Sequence, residues 1–274
     1  MNSKKPSIAI LGAGNIGTAI AGGLAESGNF KAQNITLCRR KIELLEPYRE
    51  RGFQIEPDNS VAVKNAGVIL VAVEPQQMDG LLAEINSGLD AARHVLISVV
   101  SGVNIKTISS QIHPEVPVVR AMPNTAIAIR ESMTCIASKE EHEEAVEVTK
   151  SIFDTVGKTL VIHEELMTSA TALGACGIAF FLRAIRAASQ GGIEIGFHAH
   201  EALQIAAQTA KGAASLLADM KNHPEYEIDR VTTPRGCTIS GLNQMEHQGF
   251  SSAMIKGILV SAEKAGKLYT DKED

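Results

Sequence analysis

The sequence predicts an α/β domain built on a mostly parallel sheet over residues 1–163, followed by an all-α domain over residues 164–274. Three observations carry this reading. Short apolar runs alternate with helical patterns as far as His163. From Glu164 onward strand-like runs vanish, and alanine-rich helical periodicity continues almost to the C-terminus. The stretch Ile8-Ala9-Ile10-Leu11-Gly12-Ala13-Gly14-Asn15-Ile16-Gly17 runs an apolar strand directly into a GxGxxG turn that opens the helical pattern Ile16, Ile20, Leu24. The length of 274 residues exceeds the usual size of one core, which agrees with two domains.

The glycine turn marks the first domain as Rossmann-type. Gly12 permits the tight turn, Gly14 lets backbone approach a pyrophosphate, and Gly17 lets helix and strand pack closely. The helix N-terminus at Asn15, Ile16 and Gly17 supplies free N–H groups and partial positive charge. About twenty residues on, Asn34-Ile35-Thr36-Leu37-Cys38 is a β-type run, placed where such domains choose between dinucleotides. Cys38-Arg39-Arg40 offers two guanidinium groups and no carboxylate, which suits a 2′-phosphate and predicts NADPH, with NADH accepted at lower preference. A solvated arginine pair is the alternative at this point.

The chain continues in βα rhythm. Phe53-Gln54-Ile55 reads as a short strand, and Val68 to Val73 as a continuous apolar run of the kind found in doubly covered parallel strands, ended by Glu74-Pro75. Val95 to Val100 and Val116 to Val119 give way to Ser101-Gly102 and to Met122-Pro123-Asn124. Ligands of open α/β sheets bind outside the carboxyl ends of strands, so these loops, with Ala72, Val73 and Pro75, are candidate pocket walls. Two further β-type runs, Met133 to Ala137 and Thr159 to Ile162, bracket a charged helix from about Lys139 to Val156. In the second domain, Leu203, Ala206, Ala210, Ala213, Ala214 and Leu217 recur at helical spacing, a stripe of small side chains that seeks another helix. Burying several such helices in about 110 residues favours a homodimer at least.

Composition limits the partners. Net charge is −5 and no lysine or arginine block stands out, so neither nucleic acid nor an anionic membrane is expected. A run of eighteen consecutive apolar residues is absent, and the short apolar run near the start is too glycine-interrupted for a secretory signal, which makes the cytoplasm the expected location. Cys38, Cys135, Cys176 and Cys237 form no CxxC pair, and His198-x-His200 reads as surface, so no metal site is expected.

The second informative stretch is Val231-Thr232-Thr233-Pro234-Arg235-Gly236-Cys237-Thr238-Ile239-Ser240-Gly241-Leu242, a loop leading into a helix that includes Met245. Backbone N–H groups of Gly236, Cys237 and Thr238 would be unpaired there and could hold a carboxylate. By itself the stretch is equally an ordinary capped helix.

Together these residues resemble the pyrroline-5-carboxylate reductase family over essentially the whole chain. The resemblance rests on Gly12-Ala13-Gly14-Asn15, Val71-Ala72-Val73-Glu74-Pro75-Gln76, Arg120-Ala121-Met122-Pro123-Asn124-Thr125 and the threonine-rich loop 231–242, which is similar to the family's SPGGTT signature. It implies hydride reduction of a cyclic imine by NAD(P)H as the last step of proline biosynthesis. The substrate carboxylate would lie on Gly236, Cys237 and Thr238, with Thr233, Met122, Pro123 and Asn124 beside the substrate, Thr238 oriented toward the ring nitrogen as catalytic residue, and Asn59 assisting at the cofactor. It also implies a homodimer and places Cys176 and Cys237 at the substrate pocket; small buried fillers are the alternative for these thiols. The chain departs from the family pattern at Arg235, where glycine is usual, at Cys237, at Glu74 in place of a common lysine, and over 174–180. An NADP-linked reductase of a related imine, or a non-catalytic NADP sensor, are the competing functions. A β-hydroxyacid enzyme is disfavoured, because Glu164 to Gly196 lacks the lysine such enzymes use.

Overall fold

The computed structural model describes residues 6–218 and 221–269. Eight strands form one sheet: β1 (Ile8–Leu11), β2 (Ile35–Cys38), β3 (Gln54–Glu56), β4 (Val68–Val71), β5 (Val95–Ser98), β6 (Val118–Met122), β7 (Ser132–Ser138) and β8 (Gly157–Val161). Their order is β3-β2-β1-β4-β5-β6-β7-β8, with every pairing parallel except β6 to β7. Around the sheet run α1 (Asn15–Glu26), α2 (Glu46–Glu50), α3 (Asn59–Lys64), α4 (Met78–Ile85), α5 (Ile105–Ser109), α6 (Glu143–Phe153) and α7 (Met167–Ala170). The chain reverses direction in strand order between β1 and β4, the switch point at which ligands of such sheets bind.

Period-two alternation sends the apolar residues of the central strands to both faces of the sheet. Ile8, Ile10, Val68, Leu70, Ile97, Val119 and Ala121 face one buried cluster with Ile20 and Leu24 of α1 and Phe153 of α6. Ala9, Leu11, Ile69, Val71, Leu96 and Val118 face a second cluster with Met78, Leu82 and Ile85 of α4. Both faces are covered, so β1 and β4 carry no polar residue at all.

Each expected strand is present, with shifts at the ends. The Val116–Val119 run becomes a strand at Val118–Met122, so Met122 belongs to the strand and not to the loop after it. The charged helix stops at Phe153, because a turn is needed before Gly157 (φ 152), whose Cβ would meet Ser132 backbone at 2.0 Å.

Packing divides the chain into two compact units. One runs up to Cys176 and takes up the chain again from Ser261; the other is Gly177–Val260. Sequence texture changes at 164, but Met167 of α7 is buried with Met122 and Ala137 of the sheet, which keeps the segment after 164 in the first unit. Between Thr171 and Cys176 the backbone widens into a π-helical turn.

The second unit is helical: α8 (Gly177–Glu194), α9 (Ala199–Leu216), α10 (Pro224–Val231), α11 (Cys237–His247) and the first part of α12 (Phe250–Lys267). Helices α8 and α9 approach closely because Gly192 faces Ala202, where an added Cβ would lie 2.9 Å from the Ala202 Cβ. Helix α9 ends at Leu216, with Leu217, the last residue of the small-residue stripe, as its C-cap. His198 precedes it as the N-cap residue, its N–H donating to Glu201 Oε2 at 2.9 Å, and both His198 and His200 are exposed, as a surface reading requires.

Candidate functional site

A cleft of about 740 Å³ opens along the carboxyl ends of β1, β2 and β4, walled among others by Gly12, Gly14, Arg39, Asn59, Val73 and Glu84. Sequence-expected residues Arg40 and Ala72 also line it, whereas Asn15, Ile16, Gly17 and Pro75 stand outside its wall. Gly17 and Pro75 are buried and shape the turns behind it. Gly12 takes φ 94, and a Cβ there would lie 2.5 Å from the Ala72 carbonyl oxygen; one at Gly17 would lie 2.6 Å from the Gly12 oxygen. Around Gly14 nothing lies within 4 Å of an added Cβ. The turn is therefore compact where protein meets protein and open where α1 begins, the arrangement a pyrophosphate requires. A dinucleotide fits this cradle.

The two arginines are placed differently. Arg39 folds back, its Nη1 donating to the Ala13 carbonyl at 3.3 Å, and is half-buried. Arg40 is exposed on the cleft wall. Beside them the buried Cys38 thiol is pushed up to about 12 by burial first, then by the charges of Glu56, Glu84 and Asp58. That thiol is an inert filler. The local sequence Cys38-Arg39-Arg40 holds no carboxylate, yet α4 brings Glu84 into the same cleft, and the Asn59 Nδ2 donates to both Glu84 oxygens at 3.1 and 3.2 Å. Nothing in the local pattern near residue 38 signals a group 46 positions later.

At the end of β6, Met122 and Pro123 are buried and Asn124 is half-buried. The Asn124 Oδ1 accepts from the Ala126 N–H at 3.0 Å, and its Nδ2 donates to the Gly174 carbonyl at 3.3 Å, inside the π-helical turn. Both ends of this side chain thus hold protein, so Asn124 positions the turn 171–176. Arg120, also on β6, is buried and pairs with Glu164 at 3.3 Å, while the same Glu164 oxygen accepts from the Ile105 N–H at 2.6 Å.

In the second unit the loop before α11 forms a tight turn. The Gly236 N–H donates to the Thr233 carbonyl at 2.9 Å, so it is not one of the unpaired donors expected from the sequence. The left-handed residue of the turn is Arg235 (φ 61), whereas Gly236 takes an ordinary φ of −74 as N-cap. Glycine is needed at 236 for space: an added Cβ would lie 2.5 Å from the Thr233 Oγ1 and 3.0 Å from its carbonyl oxygen. Cys237 and Thr238 occupy the first two positions of α11, whose N–H groups have no carbonyl one turn back. Because Gly236 is the N-cap, Thr238 does not cap the helix; its side chain is half-buried, Cys237 is exposed and Cys176 intermediate.

Residues 164–268 match the family described as pyrroline-5-carboxylate reductase dimerisation, and residues 7–102 match NADP oxidoreductase coenzyme F420-dependent. Pyrroline-5-carboxylate reductase 2 of Dictyostelium discoideum is 51% identical over 95% of this chain and 92% of its own length. The chain belongs to the pyrroline-5-carboxylate reductase family. A second Dictyostelium relative, pyrroline-5-carboxylate reductase 1, is 52% identical over 97% of this chain, which spans 50% of that relative's length. The fold matches that of the Plasmodium falciparum pyrroline carboxylate reductase solved with NADP bound, with TM-score 0.88 at 22% identity, covering 98% of this chain and 100% of that one.

Family membership gives a reason for the apolar surface of the second unit. Phe181, Ile195, Val231, Ile255 and Leu259 are exposed, Ile195 to 77%. A groove of about 830 Å³ between α8 and α9 is lined by alanines and glycines with Phe181, Ile185, Ile195 and Phe197. Glu164–Glu194 is, among the described residues, the one segment long and apolar enough by length and composition to cross a membrane. It carries Arg183 and Arg186, both exposed, and lies within the match to the dimerisation family, so its apolar side suits a protein partner.

Proposed function

We propose that this protein reduces 1-pyrroline-5-carboxylate to L-proline by hydride transfer, the last step of proline biosynthesis, with NADPH preferred to NADH. The observation that carries the reading is the 51% identity to a pyrroline-5-carboxylate reductase over 92% of that protein's length. The open glycine cradle and the Arg40 cation support a dinucleotide with a 2′-phosphate.

The bound cofactor supplies the hydride. The chain's own contribution is placement. Gly12 and Gly14 line the cleft and would admit the pyrophosphate to the start of α1, whose first N–H groups would face it. Cys237 and Thr238 N–H groups at the start of α11 receive the substrate carboxylate, and the Thr238 hydroxyl addresses the ring nitrogen. A cyclic imine enters as its protonated iminium, already electrophilic, so no histidine or carboxylic acid has to deliver a proton first. Alignment then accounts for most of the rate. Met122 and Pro123 are buried at the end of β6, and Asn124 acts at one remove by holding the 171–176 turn.

The working form is a homodimer at least, supported by the match to the dimerisation family and the uncovered apolar side chains of α8, α9 and α12. Four unpaired thiols suit a reducing cytoplasm. The test is NADPH absorbance: it should fall on adding pyrroline-5-carboxylate, with proline formed in equal amount. A protein that binds NADPH and leaves the imine unchanged would instead be a sensor.

A further inference from the structure

The cleft that supports a 2′-phosphate also contains a group that opposes one. Three carboxylates gather at the carboxyl end of β2, and two of them are occupied locally. Asp58 caps α3, accepting from the Ser60 N–H at 2.8 Å and the Val61 N–H at 3.2 Å. Glu56 accepts from the Asp58 N–H at 3.0 Å. Glu84 is different: it arrives from α4, lines the same cleft as Arg39, Arg40 and Lys41, and is paired with the neutral amide of Asn59 instead of a cation.

The chemistry of that pair has a direction. A carboxylate accepts hydrogen bonds and donates none, so the NH₂ group of Asn59 is the one that faces Glu84. The carbonyl oxygen is then the principal group Asn59 has left to offer a ligand, and it is an acceptor. A phosphate needs donors; a ribose 2′-hydroxyl needs an acceptor. Asn59 held this way favours the hydroxyl, and the Glu84 charge beside it disfavours the phosphate.

We propose that Glu84 tempers the NADPH preference of this cleft, opposing a 2′-phosphate by its charge and turning Asn59 into an acceptor for a 2′-hydroxyl. The result is that NADH remains usable beside NADPH. This rests on the dinucleotide reading of the cleft. Glu84 is exposed, so water and salt screen the effect and its size is modest.

The experiment is calorimetric titration of the purified protein and its Glu84→Gln variant with NADPH and with NADH, at low and high salt. Glutamine keeps the length and an acceptor for Asn59 while removing the charge. Glu84→Gln should tighten NADPH by roughly three- to tenfold and leave NADH unchanged or weaker, the order of one screened like-charge contact. The gain should shrink at high salt. Asn59→Ala should weaken NADH more than NADPH. If Glu84→Gln shifts both affinities by one factor, or weakens NADPH, Glu84 is no selector, although the cleft remains a dinucleotide site. Wild-type protein that binds neither nucleotide would overturn the cleft reading and this proposal together.

Discussion

The Tyr269 hydroxyl donates to Asp79 Oδ1 at 2.7 Å, joining residues 190 positions apart. Gln111 Nε2 donates to the same oxygen at 3.0 Å. Tyr269 packs against the cluster that contains Met78 and Leu82 of α4, and Leu268 lies against Gly102 (φ 82), where an added Cβ would sit 3.3 Å from the Leu268 Cβ. Leu268 and Tyr269 therefore brace α4, the helix that carries Glu84 and Leu81 to the cofactor cleft. Replacing Tyr269 by phenylalanine removes a hydrogen bond to a carboxylate and keeps the ring. Unfolding free energy should drop by about 1–3 kcal/mol, measured by urea denaturation. An unchanged midpoint would mean that the ring alone holds this segment.

Acid should weaken the fold through His94. This buried imidazole accepts from the Asp90 N–H at its Nδ1, 2.9 Å away, so the neutral form is the one the structure uses. Burial pushes its pKa below the ordinary histidine value, aided by Arg93 and opposed by Asp90 and by the Ala66 and Val63 backbone. The folded pKa lies below the unfolded one, so the contribution is complete above the unfolded value near 6.5 and is lost as pH falls below it. Denaturation midpoints between about pH 7.5 and 5 should fall more steeply for the wild type than for His94→Gln. Parallel slopes would assign the acid sensitivity to other groups.

The sheet was legible because both its faces are covered. Runs such as Val68 to Val71 have no polar residue to blur them, and each shows as a block of β-branched or aliphatic side chains. Ends were less legible: Met122 satisfies a strand and a loop equally well by type, and only its pairing with Cys135 on β7 decides the matter. The glycine turn was legible because each glycine meets a separate steric demand. Glu84 was not, since an exposed glutamate on an amphipathic helix looks the same whether or not it faces a cleft. In the 233–238 loop, composition announced a turn, but which N–H it consumes depends on the left-handed conformation of Arg235, and an arginine does not advertise that conformation.

The arginine pair should separate on mutation. Arg40 is exposed on the cleft wall, so Arg40→Ala should weaken NADPH roughly tenfold through a lost charge-assisted contact while leaving NADH nearly untouched. Arg39 braces the Ala13 carbonyl in the glycine turn, so Arg39→Ala should weaken both nucleotides. Equal losses on both nucleotides from Arg40→Ala would remove the 2′-phosphate from this position.

Sedimentation at micromolar concentration should show a dimer or larger assembly, because the groove between α8 and α9 leaves Phe181 and Ile195 uncovered in one chain. Ala210→Leu puts bulk on the wall of that groove. Overpacking there should cost about 1–3 kcal/mol and shift the wild-type assembly toward smaller species. A wild-type monomer at this concentration would defeat the assignment.

The start of α11 can be tested by two substitutions with different physical consequences. Gly236 has an ordinary φ, so valine is not excluded there by backbone strain; it is excluded by space, since its Cβ would press on the Thr233 side chain and carbonyl. The Thr233–Gly236 turn must then open, moving the Cys237 and Thr238 N–H groups from the positions in which they would hold a carboxylate. Gly236→Val should raise the apparent substrate KM at least ~10-fold, whereas NADPH binding, which depends on the Gly12 to Gly17 turn, should persist. Thr238→Ala keeps every backbone donor and removes one hydroxyl. If that hydroxyl aligns the ring nitrogen in the transition state, kcat should fall by up to roughly 100-fold, the lower end seen for a lost oxyanion-hole donor, with KM changed less. Since Gly236 and not Thr238 is the N-cap, the same variant should leave stability almost unaltered, which separates a catalytic loss from an unfolding one. Unchanged turnover in Thr238→Ala would take the hydroxyl out of the reaction, and normal substrate affinity in Gly236→Val would take the carboxylate off this loop.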